Sequence, residues 1–412
     1  MNGERTPPAA ELVREVLRPG GGGRIVLLVL DGLGGLPAAG REQTELEAAR
    51  TPHLDALAAA GICGLHEPVA PGITPGSGPA HLALFGYDPA VYRVGRGVLS
   101  ALGLGFELEP GDVAARGNLC TLDGEGRIAD RRAGRPPTQK AAELCALLRG
   151  IELGPGIELF VEPEKEHRVL VVLRGEGLSG AVSDTDPQRT GVPPLSPAAA
   201  STDPAAARTA ELVRRLTEQA HRLLAPHAPA NGLLLRGFSQ RPRWPSLEER
   251  FGLRGLGIAA YPMYRGVARL LGMQVASYEG SVRAAFGLLA QRWQEFDFFF
   301  VHVKETDAAG EDGDFERKVA VIEEVDAALP QLLALRPEVL VVTGDHSTPA
   351  ALRSHSWHPV PVVLSAASCR PDPVRTFGER ACLAGALGPR LAATSLLPLA
   401  LAHAGRLDKF GA

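Results

Sequence analysis

The sequence has no surplus of positive charge, no disulfide pattern and no apolar run long enough to span a membrane. Lysine and arginine number 43 against 47 aspartate and glutamate, a net charge of −4. Without a basic excess to neutralise a run of phosphates, nucleic acid is not expected as a partner. The five cysteines, at 63, 120, 145, 369 and 382, are odd in number and form no C-x-x-C pair. That argues against a disulfide framework and against a thiolate zinc site, and it suits a reducing cytoplasm. The longest apolar stretch, 391–404, falls short of a bilayer, and the N-terminus, with Glu4 and Glu11, lacks a signal-type apolar core, so no membrane partner is expected. Lysine itself is scarce. Only positions 140, 165, 304, 318 and 409 carry it, and the other 38 basic residues are arginine.

What remains is a chain of 412 residues with 45% apolar and 22% charged side chains, ordinary for a globular protein and long enough for two or three domains. Residues 1–23 read as a short leader helix followed by a glycine-rich turn. The run 25–30 (IVLLVL) is apolar without alternation, which suits a strand covered on both faces of a parallel sheet. Similar runs stand at 169–173, 232–235, 297–303, 339–343 and 360–364, with helical patterns such as 319–335 between the later ones. Residues 45–60 have helical spacing, and Thr51-Pro52 marks a junction of two helices. This alternation predicts an α/β sheet with crossover helices. Residues 105–265 have a different texture, rich in Gly-Pro turns, and are read as an inserted second domain between core segments 1–104 and 266–412.

In an open parallel sheet the carboxyl ends of the strands share one edge, so polar residues just after strands gather there even when distant in sequence. Three such endings stand out: Asp31 after 25–30, Asp307 shortly after 297–303, and Asp345-His346 after 339–343, with His355 soon following. Carboxylates mixed with imidazoles suit Mn²⁺, Zn²⁺ or Mg²⁺. Two such ions side by side hold the attacking and leaving oxygens of a phosphoryl group in line. A nucleophile candidate lies in Pro75-Gly76-Ser77-Gly78-Pro79, where Pro79 suits the first turn of a helix and Ser77 stands at its positive end. The same pattern fits Ser77 as a simple helix cap. Neither a G-x-S-x-G elbow nor a G-x-G-x-x-G loop is present, which leaves acyl-transfer triads and dinucleotide sites without support.

Seven motifs then combine. They are D-G-L-G (31–34), T-P-H-L-D (51–55), P-G-S with H-L-A-L-F-G-Y-D-P (75–77 and 81–89), D-R-R-A-G-R (130–135), D-T-D-P (184–187), K-E-T-D with E-D-G-D-F (304–307 and 311–315) and G-D-H-S-T-P (344–349). In this order, and nearly end to end, the chain resembles the archaeal-type 2,3-bisphosphoglycerate-independent phosphoglycerate mutases. The resemblance implies an alkaline-phosphatase-like α/β core, with a central, mostly parallel sheet flanked by helices and interrupted by a smaller inserted α+β domain. It also implies an isomerase that interconverts 3- and 2-phosphoglycerate through a phosphoserine at Ser77. Asp31, Ser77, Asp345 and His346 would surround one divalent ion and Asp307, position 311 and His355 another, with Mn²⁺ favoured over Mg²⁺ or Zn²⁺.

Two positions depart from the family pattern. Glu311 stands where a histidine is usual; it either ligates as a carboxylate, biasing the site toward a harder metal, or faces solvent while His358 or a water replaces it. Gly78-Pro79 replaces the usual Asp-Thr. Arg131, Arg132 and Arg135 would clamp carboxylate and phosphate from the insert, unless they are surface charge or pair with Asp130. Lys304 would touch substrate phosphate. Asp184, Asp186 and Arg189 would bind glycerate or only organise their loop, and His81 would orient the serine region or pack against Tyr87. The expected partner is a small phosphorylated metabolite, with homo-oligomerisation left open. A related phosphotransferase or phosphatase, such as a homoserine-kinase-like member, is the alternative activity.

Overall fold

The computed structural model describes residues 9–18 and 21–411. The leader helix is Ala9–Val16, and part of the glycine-rich turn, 19–20, lies outside the described residues. Among the described residues thirteen strands follow: β1 (Ile25–Leu30), β2 (Ile62–Glu67), β3 (Val113–Leu122), β4 (Ile128–Asp130), β5 (Glu158–Lys165), β6 (Arg168–Arg174), β7 (Gly232–Ser239), β8 (Gly255–Ala259), β9 (Gln274–Ala276), β10 (Phe298–Val303), β11 (Val339–Thr343), β12 (Val360–Ala366) and β13 (Gly388–Ala392). They form an eight-stranded sheet in the order β13-β2-β12-β11-β1-β10-β8-β9 and a separate five-stranded sheet of β3 to β7. By its contacts the chain divides into two compact units, 1–93 with 245–412, and 94–244.

The first unit is α/β, its large sheet mostly parallel and flanked by helices. Every residue of β1 is buried, as expected of an apolar run without alternation. β1 pairs in parallel with β10 on one side and β11 on the other, and only β12 runs against both of its neighbours. The register sets Leu30 beside Val303 and Val29 beside Thr343. β1 and β10 therefore end level, with Asp31 and Lys304 following side by side, and β11 ends one residue earlier, two residues before Asp345. The helix Phe315–Leu333 buries Ile322, Val325, Leu329 and Leu332 in the sheet's core.

The expected helix junction at Thr51-Pro52 is present, between Glu45–Ala48 and Pro52–Ala60. Thr51 makes no side-chain cap there. The uncapped first-turn amides of His53 and Leu54 donate instead to Asp326 Oδ1, at 3.0 and 2.8 Å, from the Phe315–Leu333 helix. T-P-H-L-D is thus a docking point between helices.

The second unit is an antiparallel sheet packed with the helices Thr138–Leu148 and Pro204–Leu224. Leu144, Leu148, Val213 and Leu216 meet Val113, Ala115, Val171 and Leu235 in its core. The runs 169–173 and 232–235 are therefore antiparallel strands of this sheet. Sequence texture drew the insert at 105–265, whereas β8, at Gly255–Ala259, pairs in parallel with β10 in the large sheet and the helix Arg96–Leu104 belongs to the 94–244 unit. The sequence GLGIA is too short and glycine-rich to announce itself as a sheet strand.

Candidate active site

The adjacent ends of β11, β1 and β10 deliver Asp345, Asp31 and Asp307 to one edge of the large sheet. All three are fully buried, as is His346. Ser77 arrives from elsewhere. Its helix, Ser77–Leu84, starts with Gly76 at the cap position, and no side chain caps it, so the reading of Ser77 as a mere cap does not hold. Ser77 Oγ lies 3.2 Å from His346 Nε2. The same nitrogen is 3.3 Å from Asp31 Oδ1 and 3.2 Å from Asp345 Oδ2. On the far side of the ring, His346 Nδ1 is 3.0 Å from Thr348 Oγ1, whose own hydrogen goes to Asp307 Oδ1 at 2.6 Å. That pattern makes Nδ1 the protonated nitrogen and leaves Nε2 a lone pair aimed at two carboxylates.

A lone pair facing two carboxylate oxygens is repulsive unless a cation lies among them. Asp31 Oδ1 and Asp345 Oδ2 are buried atoms with no hydrogen-bond donor among the described residues. Two groups have ligand atoms close enough to hold one ion: Asp31, Asp345 and His346, and Asp307, His346 and His355. His355 stacks on His346 with ring centroids 3.7 Å apart. Its Nδ1 is 3.0 Å from Pro75 O, which leaves Nε2 3.6 Å from Asp307 Oδ1. The donor set of oxygen and imidazole nitrogen without thiolate fits Mn²⁺, Mg²⁺ or Zn²⁺.

Positive charge at this edge comes from Lys304, whose Nζ is 3.0 Å from Asp31 Oδ2 and also bonds Asp307. Burial opposes its charge, but Asp31, Tyr264 and Asp307 raise its pKa well above the usual value, so it stays an ammonium. Burial likewise opposes ionisation of Asp31, and Lys304, His302 and His346 override it, holding the carboxyl well below its usual range. Burial keeps His346 and His302 below the ordinary imidazole value.

Glu311 is not drawn into either group. Its Oε1 is 4.0 Å from His355 Nε2 and its side chain is 56% exposed, so it stands at the rim. His358 bonds Ser356 Oγ at 3.0 Å and does not take its place. His81 packs against Tyr264, Phe300 and His302, not against Tyr87, and its Nδ1 lies 2.8 Å from Ser77 O and 3.2 Å from Asp345 Oδ2. Its Nδ1 hydrogen therefore goes to the serine's carbonyl, and the ring lies beside the Asp345 carboxylate.

Three groups here went unread in the sequence. Tyr264 donates its hydroxyl to Asp31 Oδ2 and stacks on His302, which is 3.3 Å from the same oxygen. Thr348 bridges Asp307 and His346. A histidine inside the apolar run FFFVHV was the available signal for His302; nothing marked Tyr264.

The second unit holds the remaining candidates. Arg131 forms a two-point pair with Asp186, at 2.9 and 2.6 Å. Asp130 does not pair with the arginines through its side chain but accepts the backbone amides of Arg132 and Gly134. Arg132, Arg135 and Arg189 are exposed, and Asp184 accepts from Gly237 N at 2.8 Å, an organising role. Missed by the sequence reading, Arg116 on β3 and Arg236 on β7 stand directly opposite one another in the ladder. Like charges facing across a sheet are destabilising. Burial first, then Arg116 and Arg96, pull the Arg236 guanidinium down to about 9. Burial and Arg168, Arg132, Arg135 and Arg116 bring nearby His167 down to about 4. Asp186, paired with Arg131, opposes part of the shift at Arg236.

Comparison with known proteins agrees with these motifs. Residues 58–231 match the family model described as 2,3-bisphosphoglycerate-independent phosphoglycerate mutase. A protein of Thermus thermophilus named as a probable member is 53% identical over 393 residues, 94% of this chain and 96% of that protein. One from Aquifex aeolicus is 47% identical over 98% of this chain and all of that protein. Among solved structures, a Pyrococcus horikoshii protein superposes with a TM-score of 0.81 at 29% identity, covering 95% of this chain and 100% of that one. The cofactor-independent phosphoglycerate mutase of Thermoplasma acidophilum gives 0.67 at 32% identity, covering 93% and 100%.

Proposed function

Because this chain belongs to the 2,3-bisphosphoglycerate-independent phosphoglycerate mutase family, a family of isomerases, we propose that it interconverts 3- and 2-phosphoglycerate through a phosphoserine at Ser77. The observation that carries this reading is the position of Ser77 Oγ, 3.2 Å from a histidine nitrogen that is flanked by two buried carboxylates. Asp31, Ser77, Asp345 and His346 would hold one divalent ion, Mn²⁺ by preference, and Asp307 and His355, with His346 in reach of both groups, would hold a second. When bound, such ions neutralise phosphoryl charge and favour the serine alkoxide.

The chain's own groups account for the rest. Ser77 Oγ attacks phosphorus, the bond from phosphorus to the C3 oxygen breaks, and the proton lost by the serine is made good on that oxygen, giving phosphoserine and glycerate. The C2 hydroxyl of glycerate then attacks the phosphoserine, and Ser77 regains its proton. Ser77 sits at the first turn of its helix, where the backbone amides and the dipole favour a phosphate. Lys304, kept charged by Asp31 and Asp307, offers its ammonium to the phosphoryl oxygens.

Glycerate must turn over without escaping, or the enzyme becomes a phosphatase. The cations of the inserted unit suit that task. Arg116, Arg131 and Arg236, with Arg132, Arg135 and Arg189 outside them, match a substrate bearing a carboxylate and a phosphate, while Asp184 and Asp186 hold the loop that positions them. The five free cysteines, and a set of described helices in which none is long and apolar enough to cross a membrane, are consistent with a cytoplasmic setting.

The test is an assay with Mn²⁺ of 2-phosphoglycerate formation, run beside phosphate release and homoserine phosphorylation. Mutase turnover with phosphate mass located on Ser77 is expected. Turnover in either other assay without mutase activity would overturn the assignment.

A further inference from the structure

One charged cluster lies just behind the ligand-bearing loops and takes no part in the chemistry described so far. Lys318, on the Phe315–Leu333 helix, is 0% exposed, one of only five lysines in the chain. Its ammonium donates to Gly34 O at 3.0 Å and to Thr348 O at 2.9 Å. Gly34 is three residues past Asp31, and Thr348 two past His346. Glu45, equally buried and 3.9 Å from Lys318, grips the same two loops by their amides: Ala350 N donates to Oε1 at 2.7 Å and Leu36 N to Oε2 at 3.2 Å. Glu379 adds a third hold, accepting from Gly35 N at 2.8 Å.

A buried ammonium is costly without partners. An apolar residue would be the cheaper filling for the space, so both loops being tied through both kinds of backbone group points to a task. The loops are also too close to reseat themselves: a Cβ at Gly34 would meet Ser347 Oγ at 1.9 Å, and one at Gly310 would meet Thr348 O at 2.1 Å. Thr348, whose carbonyl Lys318 holds, turns its hydroxyl to Asp307 and His346. Lys318 thus ties the loop that follows Asp31 to the loop that follows His346, and Thr348 extends that tie to Asp307.

We infer that Lys318 is a positioning residue that sets the affinity of the site for divalent cations by fixing the loops of Asp31 and His346 at their working separation. The inference rests on the metal-dependent reading above. Groups that orient metal ligands from behind typically change affinity by about 10–100-fold when removed.

The experiment titrates the purified full-length protein with Mn²⁺ and follows the loss of the free-ion paramagnetic resonance signal, for wild type, Lys318→Met and Leu329→Ala. Leu329 is a buried core residue of the same helix and reports on helix destabilisation alone. Lys318→Met is expected to bind Mn²⁺ ~10-fold or more weakly and to lower kcat with KM for phosphoglycerate little changed, while Leu329→Ala loses melting temperature and keeps wild-type Mn²⁺ affinity. Wild-type affinity in Lys318→Met, or an equal loss in Leu329→Ala, overturns the inference. Should Lys318→Met not fold, Glu45→Gln serves in its place, with weaker Mn²⁺ binding expected and unchanged binding overturning the inference. A wild-type protein that takes up no Mn²⁺ is a different failure: it overturns the metal reading itself, and this inference with it.

Discussion

In the eight-stranded sheet the candidate ligands Asp31, Asp307, Asp345 and His346 stand beyond the strand ends, whereas in the five-stranded sheet Arg116 and Arg236 stand within their strands, facing each other across the ladder. The first arrangement gathers Asp31, Asp307 and Asp345 with two imidazoles into a buried anionic cluster. The second sets Arg116 against Arg236 and surrounds them with further arginines. Lys304 offsets part of the first charge and Asp186 part of the second, and under the proposed function each cluster would take a ligand of the opposite sign. The comparison teaches that one chain separates its two electrostatic tasks by architecture. Parallel strand ends converge on a point and suit a small cation; an antiparallel surface spreads donors over an area and suits an extended anion.

The largest expected break in this comparison is Ser77→Ala. Removal of the nucleophile should lower kcat by about 10⁴-fold or more, while the Arg116 and Arg236 face keeps binding phosphoglycerate in equilibrium titration. Chelation should come next. Stripping divalent cations is expected to remove activity, restored by Mn²⁺, and to raise hydrogen exchange at 31–36 and 344–350 while leaving β3 and β7 as they were; equal change in both units would erase the distinction. Arg236→Met should lower kcat/KM by about 10–100-fold, the usual worth of a charge-assisted contact, with Mn²⁺ affinity unaltered. Because it also relieves like-charge repulsion, the substrate-free protein should melt at the same temperature or higher.

The smallest effect concerns Glu379, behind the first cluster. Burial pushes its carboxyl up to about 7, outweighing the hydrogen bonds from Thr44 and Gly35. The folded chain then holds this proton more tightly than the unfolded one, so stability falls as pH rises from about 4.5 to 7 and is level above that. Glu379→Gln should flatten that slope by roughly 1–3 kcal/mol, as read from denaturant melts at pH 5 and pH 7.5.

The strand-end cluster was legible because its signals are local. Each acid follows a continuous apolar run, and the register that levels those runs is a general property of parallel sheets. Ser77 and the two histidines sit in contiguous motifs. The arginine face was not legible, because Arg116 and Arg236 are 120 positions apart and nothing in either strand announces the pairing; the adjacent D-R-R-A-G-R drew attention instead, and of its arginines only Arg131 is tied into the interior. Tyr264 was hidden for a similar reason, since its partner Asp31 is reached only once β8 is seen to join the large sheet. Glu311, expected among the ligands, shares a face of the Glu305–Asp312 helix with buried Asp307 but stands one turn further along, where the helix reaches the exposed rim.

The adjacency of β11, β1 and β10 has one more consequence. Neighbouring parallel strands are separated by a nearly constant 4.7–4.9 Å, so the ladder sets the distance between the backbones that lead to Asp31 and Asp345 just past β1 and β11, whereas Asp307 is placed by the Glu305–Asp312 helix. Substitutions at those two tips are therefore expected to change how firmly a cation would be gripped, while the spacing of the backbones beneath it stays with the sheet.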